Sequence, residues 1–257
     1  MKCVLSVLVL VCIVLMPFAA QAVEKPVIYY SFDSIKGDDV KDRSGFGNDG
    51  TMEGKPEIID GQSGKAVEFE SNRITIPASD SLSADLFQDS FTLVVWINPK
   101  RAGDTWQEIF RAYEGAQSDD TLFINNDGRL SWRGRVGGAW AGGMCETAAE
   151  VVAADTWTHA AVVGDTANFR IYVNGSLSQE SAFQPTDGIN VTYFRGGDPD
   201  HIGESYSGAV DDFAVFAEAL GEADIVAIKD KGVQEVIAAV GSKDKLATKW
   251  AALKAGS

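Results

Sequence analysis

The chain has 257 residues, 45% of them hydrophobic, with 22 basic against 37 acidic side chains and a formal net charge of −15. That balance repels phosphate backbones, so it argues against nucleic acid, anionic membranes and anionic sugars, and it is compatible with calcium and neutral glycans. Two of the three cysteines, Cys3 and Cys12, fall in the first 12 residues, which leaves Cys145 unable to staple its own chain; stability must come from a core.

Residues 1–22 have the form of a secretory signal peptide. Lys2 precedes an apolar run from Val4 to Phe18, and Ala20-Gln21-Ala22 is a small-x-small cleavage site. The run falls short of the roughly 20 apolar residues that span a bilayer. Export is therefore expected, to the periplasm, the cell surface or the outside, with no membrane span in the mature chain.

Val27 to Phe32 is dense in β-branched and aromatic residues and reads as a strand. Residues 38–50, rich in Gly, Asp and Asn, read as irregular loop. Lys65–Phe69 and Arg73–Ile76 look like a short strand pair. From Phe91 to Asn98 both alternating faces are apolar, which predicts a central strand buried on two sides. Thr121–Ile124 and Arg129–Arg133 flank Asn125-Asn126-Asp127-Gly128, a hairpin signal. Residues 137–143 are Gly-rich around Trp140 and read as a loop. Trp157–Val163 and Asn168–Val173 form another pair, turned onward by Asn174-Gly175, and Gly208–Phe216 is the last strand.

Helix is expected only late. Glu222 to Lys231 has an acidic start, a basic end and Gly232 as a stop, and Val233 to Val240 extends it. In the tail, 233–257, Leu246, Trp250 and Leu253 share one helical face, either packed back on the sheets or docking a partner. The whole predicts an all-β, two-sheet antiparallel jelly-roll sandwich over 23–232 with short C-terminal helices.

Ordered pieces of the chain resemble the LamG-like jelly-roll domains of the concanavalin A-like lectin/glucanase superfamily. They are Tyr30-Ser31-Phe32-Asp33, the stretch Asp42 to Gly50, Gly64 to Phe69, Phe91 to Ile97, Trp157 to Ala160, Tyr172 to Gly175, His201 to Glu204 and Gly208 to Phe213. The resemblance implies a non-enzymatic, secreted or surface-displayed domain that binds glycans or proteins, often with a calcium ion. Related domains often carry a cysteine pair, and the lone Cys145 departs from that.

A hydrolase would need paired carboxylates a few ångströms apart. Phe91–Asn98 carries no acid, Glu108 stands alone, and adjacent Asp211 and Asp212 are expected on opposite faces of their strand. No triad order, zinc motif or phosphate loop is present. His159 reads as a hydrogen-bonded histidine of the sandwich, His201 as an exposed loop residue.

Calcium wants six to eight hard oxygens at about 2.3–2.6 Å. If first and last strands pair, Asp33, Asp211 and Asp212 converge, with Asn48 adding a ligand; the rival reading is solvated turn acids and strand caps. Sugar binding rests on exposed aromatics with polar neighbours: Trp106, Trp132, Trp140, Tyr193 and Tyr206, with Arg133 and Arg135. Trp140 is the sharpest, as a ligand platform or as a plug that pins its loop. The functional expectation is a secreted, non-catalytic module for extracellular carbohydrate with structural calcium. The alternatives are a protein-interaction or adhesion module and, more remotely, a glycoside hydrolase.

Overall fold

The computed structural model describes residues 23–55, 57–70, 72–77, 79–82, 86–103, 106–114, 118–186, 201–202 and 206–239. Within them the chain folds into two antiparallel sheets packed face to face. The first runs in the order β14 (Ser176–Ala182), β13 (Asn168–Val173), β12 (Thr158–Gly164), β7 (Phe91–Pro99), β16 (Gly208–Phe216), β5 (Lys65–Phe69) and β4 (Glu57–Asp60); β1 (Ile28–Tyr30) also pairs with β16. The second runs β11 (Ala139–Glu146), β10 (Leu130–Val136), β9 (Ser118–Ile124), β8 (Gln107–Glu114), β15 (His201–Ile202), β6 (Arg73–Thr75), β3 (Gly50–Glu53) and β2 (Asp39–Val40).

The strand predicted to be buried on both faces is indeed central. Phe91, Leu93, Val95 and Ile97 of β7 join the core between the sheets, while Val94 belongs to a second core on the outer side. Trp132 fills the middle of the first core, 5.2 Å from the Phe91 ring and 5.4 Å from that of Phe87. First and last strands pair as expected, with Tyr30 opposite Phe213.

Two local expectations are corrected. Lys65–Phe69 and Arg73–Ile76 do not pair: β5 joins β16 and β4, and β6 joins β15 and β3. Phe69 and Ile74 both face the inter-sheet core, and crossing from one sheet to the other lets each bury from its own side. His201 is in strand β15 between β8 and β6, not in an open loop.

The second core covers part of the outer face of the first sheet. Helix α1 (Glu222–Lys231) buries Ile225 and Ile228, and Val233 and Val236 follow in a helical stretch over 233–239. They pack with Val23, Tyr29, Tyr172 and Phe216. Gly232, at φ 82°, ends α1 as predicted; its N–H donates to Ile228 O at 2.8 Å. Among the described residues no helix is long and apolar enough to cross a membrane. The Leu246, Trp250 and Leu253 face lies outside the described residues.

Candidate functional site

The outer face of the second sheet carries an aromatic and polar row built across β8 to β11. Strand alternation sends Leu122, Ile124, Leu130 and Trp132 to the core and Phe123, Ser131, Arg133 and Arg135 outward. Register then sets the neighbours: Ser131 opposite Phe123 and Glu146, Arg135 opposite Trp140. The segment read from sequence as a loop is a tight hairpin. Gly137 and Gly138, at φ 63° and 74°, supply the two positive dihedrals that such a turn needs, so Trp140 sits on a strand.

Three rings gather on this face. Phe123 lies 6.3 Å from Trp106 and 6.2 Å from Trp140, both edge-on. The indoles remain 44% and 43% exposed. The Arg133 guanidinium sits over the Trp106 ring at 4.3 Å, and that of Arg135 over Trp140 at 4.8 Å.

Beneath them Glu146 organises the polar groups. It accepts from Arg133 Nη2 at 2.8 Å, Ser131 Oγ at 2.9 Å and Asn125 Nδ2 at 3.2 Å. Burial opposes its charge, but these hydrogen bonds outweigh it and hold the carboxyl below its ordinary range. Arg133 Nε also donates to Ser131 Oγ at 3.0 Å, and Arg135 Nη1 to Gly138 O at 3.2 Å. Both guanidinium planes are thereby oriented before any ligand arrives.

Two other proposed sugar contacts are corrected. Tyr206 is 1% exposed, with its hydroxyl donating to Ala209 O at 2.9 Å, and Trp132 is fully buried. Both are large aromatics that the inter-sheet core absorbs. Tyr193 lies outside the described residues. The sequence reading missed Phe123 and Glu146: Phe123 alternates with Leu122 and Ile124, but Glu146 needs the hairpin register before it can be placed.

Each of the expected calcium ligands Asp33, Asp211, Asp212 and Asn48 makes hydrogen bonds within the protein. Asp211 accepts from Ser63 N and from Asp212 N, Asp212 from the Tyr29 hydroxyl at 2.8 Å, and Asp33 from Lys65 N at 3.1 Å, with Arg43 at 3.8 Å. Asn48 Nδ2 donates to Val27 O and Ser81 Oγ, in a turn that Asp42 holds together. Among the described residues no group of three or more His, Cys, Asp or Glu is placed to hold a metal. The charges of Asp33 and Asp212, and of Asp212 and Asp211, are close enough to act on one another, and Asn48 Oδ1 is buried without a hydrogen-bond partner.

Asp211 and Asp212 also depart from the opposite-face expectation. Asp211 lies across from Trp96 and Ala214 from Val94, so β16 carries one extra residue there. Asp212 takes up that bulge at φ 46°. Both carboxyls turn away from the inter-sheet core. Burial pushes Asp211 up to about 7, helped by the Asp212 charge, and Asp212 up to about 6.

His159 is buried against Trp96, ring centres 5.1 Å apart. Burial and nearby Lys229 push it down to about 3, so the imidazole is neutral. Its backbone N–H bonds Asn174 Oδ1, but ring Nδ1 has no hydrogen-bond partner, unlike the hydrogen-bonded histidine expected. Cys145 is buried, and burial pushes its thiol up to about 11, which leaves it unreactive.

Residues 70–226 match the family model of the concanavalin A-like lectin/glucanases superfamily. The chain belongs to that superfamily. Among solved structures it is similar to domain 4 of AbnA, a GH43 extracellular arabinanase from Geobacillus stearothermophilus, in complex with arabinotriose. That match has 18% identity over 80% of this chain and 98% of the other, with a TM-score of 0.62. The binding domain of Paraclostridial Mosquitocidal Protein 1 aligns at 19% identity over 80% and 52%, with a TM-score of 0.62. A structure of botulinum neurotoxin type C, whose cell entry is dependent upon interaction with two ganglioside molecules, aligns at 14% over 80% and 51%, with a TM-score of 0.64. The chain thus spans about half the length of the two toxin chains. At these identities the likeness is one of fold. No curated protein sequence matches the chain.

Proposed function

We propose that this LamG-like chain is a secreted, non-catalytic module that recognises extracellular carbohydrate on the outer face of its second sheet. The observation that carries the reading is the row Trp106, Phe123 and Trp140, with both indoles exposed and braced by guanidiniums. Aromatic faces receive the C–H faces of sugars, and oriented Arg and Glu groups bond hydroxyls. Arabinotriose, in complex with one structural neighbour, and the gangliosides on which cell entry of another depends both bear carbohydrate, which supports the class. Export is supported by the form of residues 1–22.

Chemistry supports a binding role over hydrolysis. A glycosidase needs one carboxyl raised so that it can donate a proton beside the substrate. Glu146, on the exposed face, is lowered. The raised pair, Asp211 and Asp212, is buried on the other sheet, at 0% and 6% exposure. A protein-docking reading is less favoured because the exposed apolar residues outside the indoles are scattered: Phe46 precedes β3, Ile58 and Leu177 lie on β4 and β14 at opposite edges of the first sheet, and Val136 stands beside the aromatic group.

A glycan array followed by calorimetry tests the proposal. Wild type should bind, and Trp106→Ala and Trp140→Ala should each weaken binding about tenfold or more, equivalent to about 1.4 kcal/mol, with melting temperature unchanged. Absence of any glycan binding by wild type, or full binding by both variants, would refute it.

A further inference from the structure

The site just described has two stacking surfaces, and their separation has a chemical meaning. Trp106 precedes β8, and Trp140 is on β11, at the far side of three neighbouring strands. Phe123 is on the intervening strand β9, and each indole lies one ring-to-ring step from it, at 6.3 and 6.2 Å. The backbones that carry the two indoles are thus separated by β9 and β10, with neighbouring strands about 4.8 Å apart, so each ring offers its own stacking surface. Each indole also has its own guanidinium, Arg133 for Trp106 and Arg135 for Trp140, so each is braced independently.

The face is open as well as long. Pockets that hold a single sugar close around it with converging donors. Here both indoles stand more than two-fifths exposed on a sheet surface. A cavity of about 260 Å³ is lined by Lys55, Glu57, Glu68, Glu70 and Asn72, on and beside β4 and β5. An open strip with a stacking surface at each end suits a chain that runs across it and continues past both ends.

Resting on the proposed glycan recognition, the geometry points to an extended oligosaccharide as the ligand, laid across β8 to β11 with one sugar on Trp106 and another, further along the same chain, on Trp140. The two indoles are two subsites of one glycan, and internal stretches of a polysaccharide are recognised in preference to a terminal sugar. Two linked contacts make the second stacking event intramolecular, so affinity rises with chain length without any new kind of contact.

The test is a length series. Arabinan-, xylan-, cellulose- and mannan-derived oligosaccharides, each from a single sugar to a hexasaccharide, are titrated into wild type, Trp106→Ala, Trp140→Ala and the double variant by calorimetry. Trp→Phe variants at both positions keep a stacking ring and serve as the rescue, and circular dichroism confirms folding. In the series that binds, wild-type affinity should climb at least about tenfold between the disaccharide and the longest member, then level off. Either single Ala variant should abolish that climb, and the Phe variants should restore most of it. A flat length profile in wild type, or a climb that survives loss of Trp106 or of Trp140, overturns the two-subsite inference and leaves glycan recognition standing. No binding of any member of any series overturns both.

Discussion

Gly143 is where a single missing methyl group matters most for the site. The space where a Cβ would lie is filled by the side chain of Glu146, which reaches from there to Arg133, Ser131 and Asn125. Gly143 has no positive φ to defend, and Glu146 is flexible enough to move aside. Gly143→Ala should therefore cost little stability, under about 1 kcal/mol, as for other substitutions that leave core and backbone intact. It should still weaken glycan binding several-fold, because a displaced Glu146 no longer orients Arg133 over the Trp106 ring. Thermal melts and calorimetry on the one variant read both effects, and unchanged binding would mean that the Glu146 network is not part of the site. Asp42 is a different kind of carboxylate. It accepts from the backbone of Tyr29, Ser44 and Asn48 and from the Ser44 hydroxyl, which accounts for the Asp-Arg-Ser-Gly run as a fold device.

At the scale of elements, α1 contributes to the second core and not to the candidate site. Ile228 is 3% exposed and packs in the outer cluster with Phe216 and Tyr172. Ile228→Ala should lower stability by about 2–4 kcal/mol, the usual cost of emptying such a position. Glycan binding at temperatures below the melt should not change. A urea melt with a parallel titration checks this, and lost affinity in the folded variant would tie the helix to the opposite face. Strand pattern carried most of the fold into view from the sequence. The doubly apolar run of β7, the Asp-Gly and Asn-Gly turns and the capped α1 are all local, and local spacing reports them. Pairing is not local. Nothing in the spacing of Lys65–Phe69 and Arg73–Ile76 says that they belong to different sheets, because either arrangement buries Phe69 and Ile74. The same holds for the site: Trp140, Arg133 and Arg135 were legible as residue types, while Glu146 and the three-ring row exist only once β10 and β11 are in register. Tyr206 misled for the converse reason, since a tyrosine near a strand end looks alike whether its ring faces solvent or core.

For the molecule as a whole, the buried acidic pair sets a pH dependence. Asp211 and Asp212 titrate near 7 and 6 in the folded chain against an ordinary value of 3.8. On these two carboxyls the folded state holds more protons than the unfolded state between about pH 4 and pH 7, so their contribution to stability falls as pH rises through that window, while His159, held down to about 3 against an ordinary 6.5, acts the other way below about pH 6.5. The stabilisation from Asp211 and Asp212 is fully present below about pH 4 and is lost above the folded values. Asp49, Asp127 and Glu146 are lowered and act oppositely, but only at more acid pH. Asp212→Asn removes one of the two charges while its amide oxygen can still accept from Tyr29, and Asn tolerates the left-handed φ of 46°. That variant should be more stable than wild type at pH 8 by about 1–3 kcal/mol and should show a flatter profile from pH 5 to 8. Melting curves across that range decide it; a parallel profile would show that Asp212 ionises without cost.

The two ends of the described fold share one side. Val23 and Val236 both pack in the outer cluster over the first sheet, with Phe216 and Ile228, whereas the indole pair lies on the outer surface of the second. A carrier fused at either end, whether a larger polypeptide or a solid support, would thus stand behind the sandwich. Trp106 and Trp140 would look away from it, toward whatever passes in front, which makes terminal fusion the natural way to present this face to an insoluble polymer.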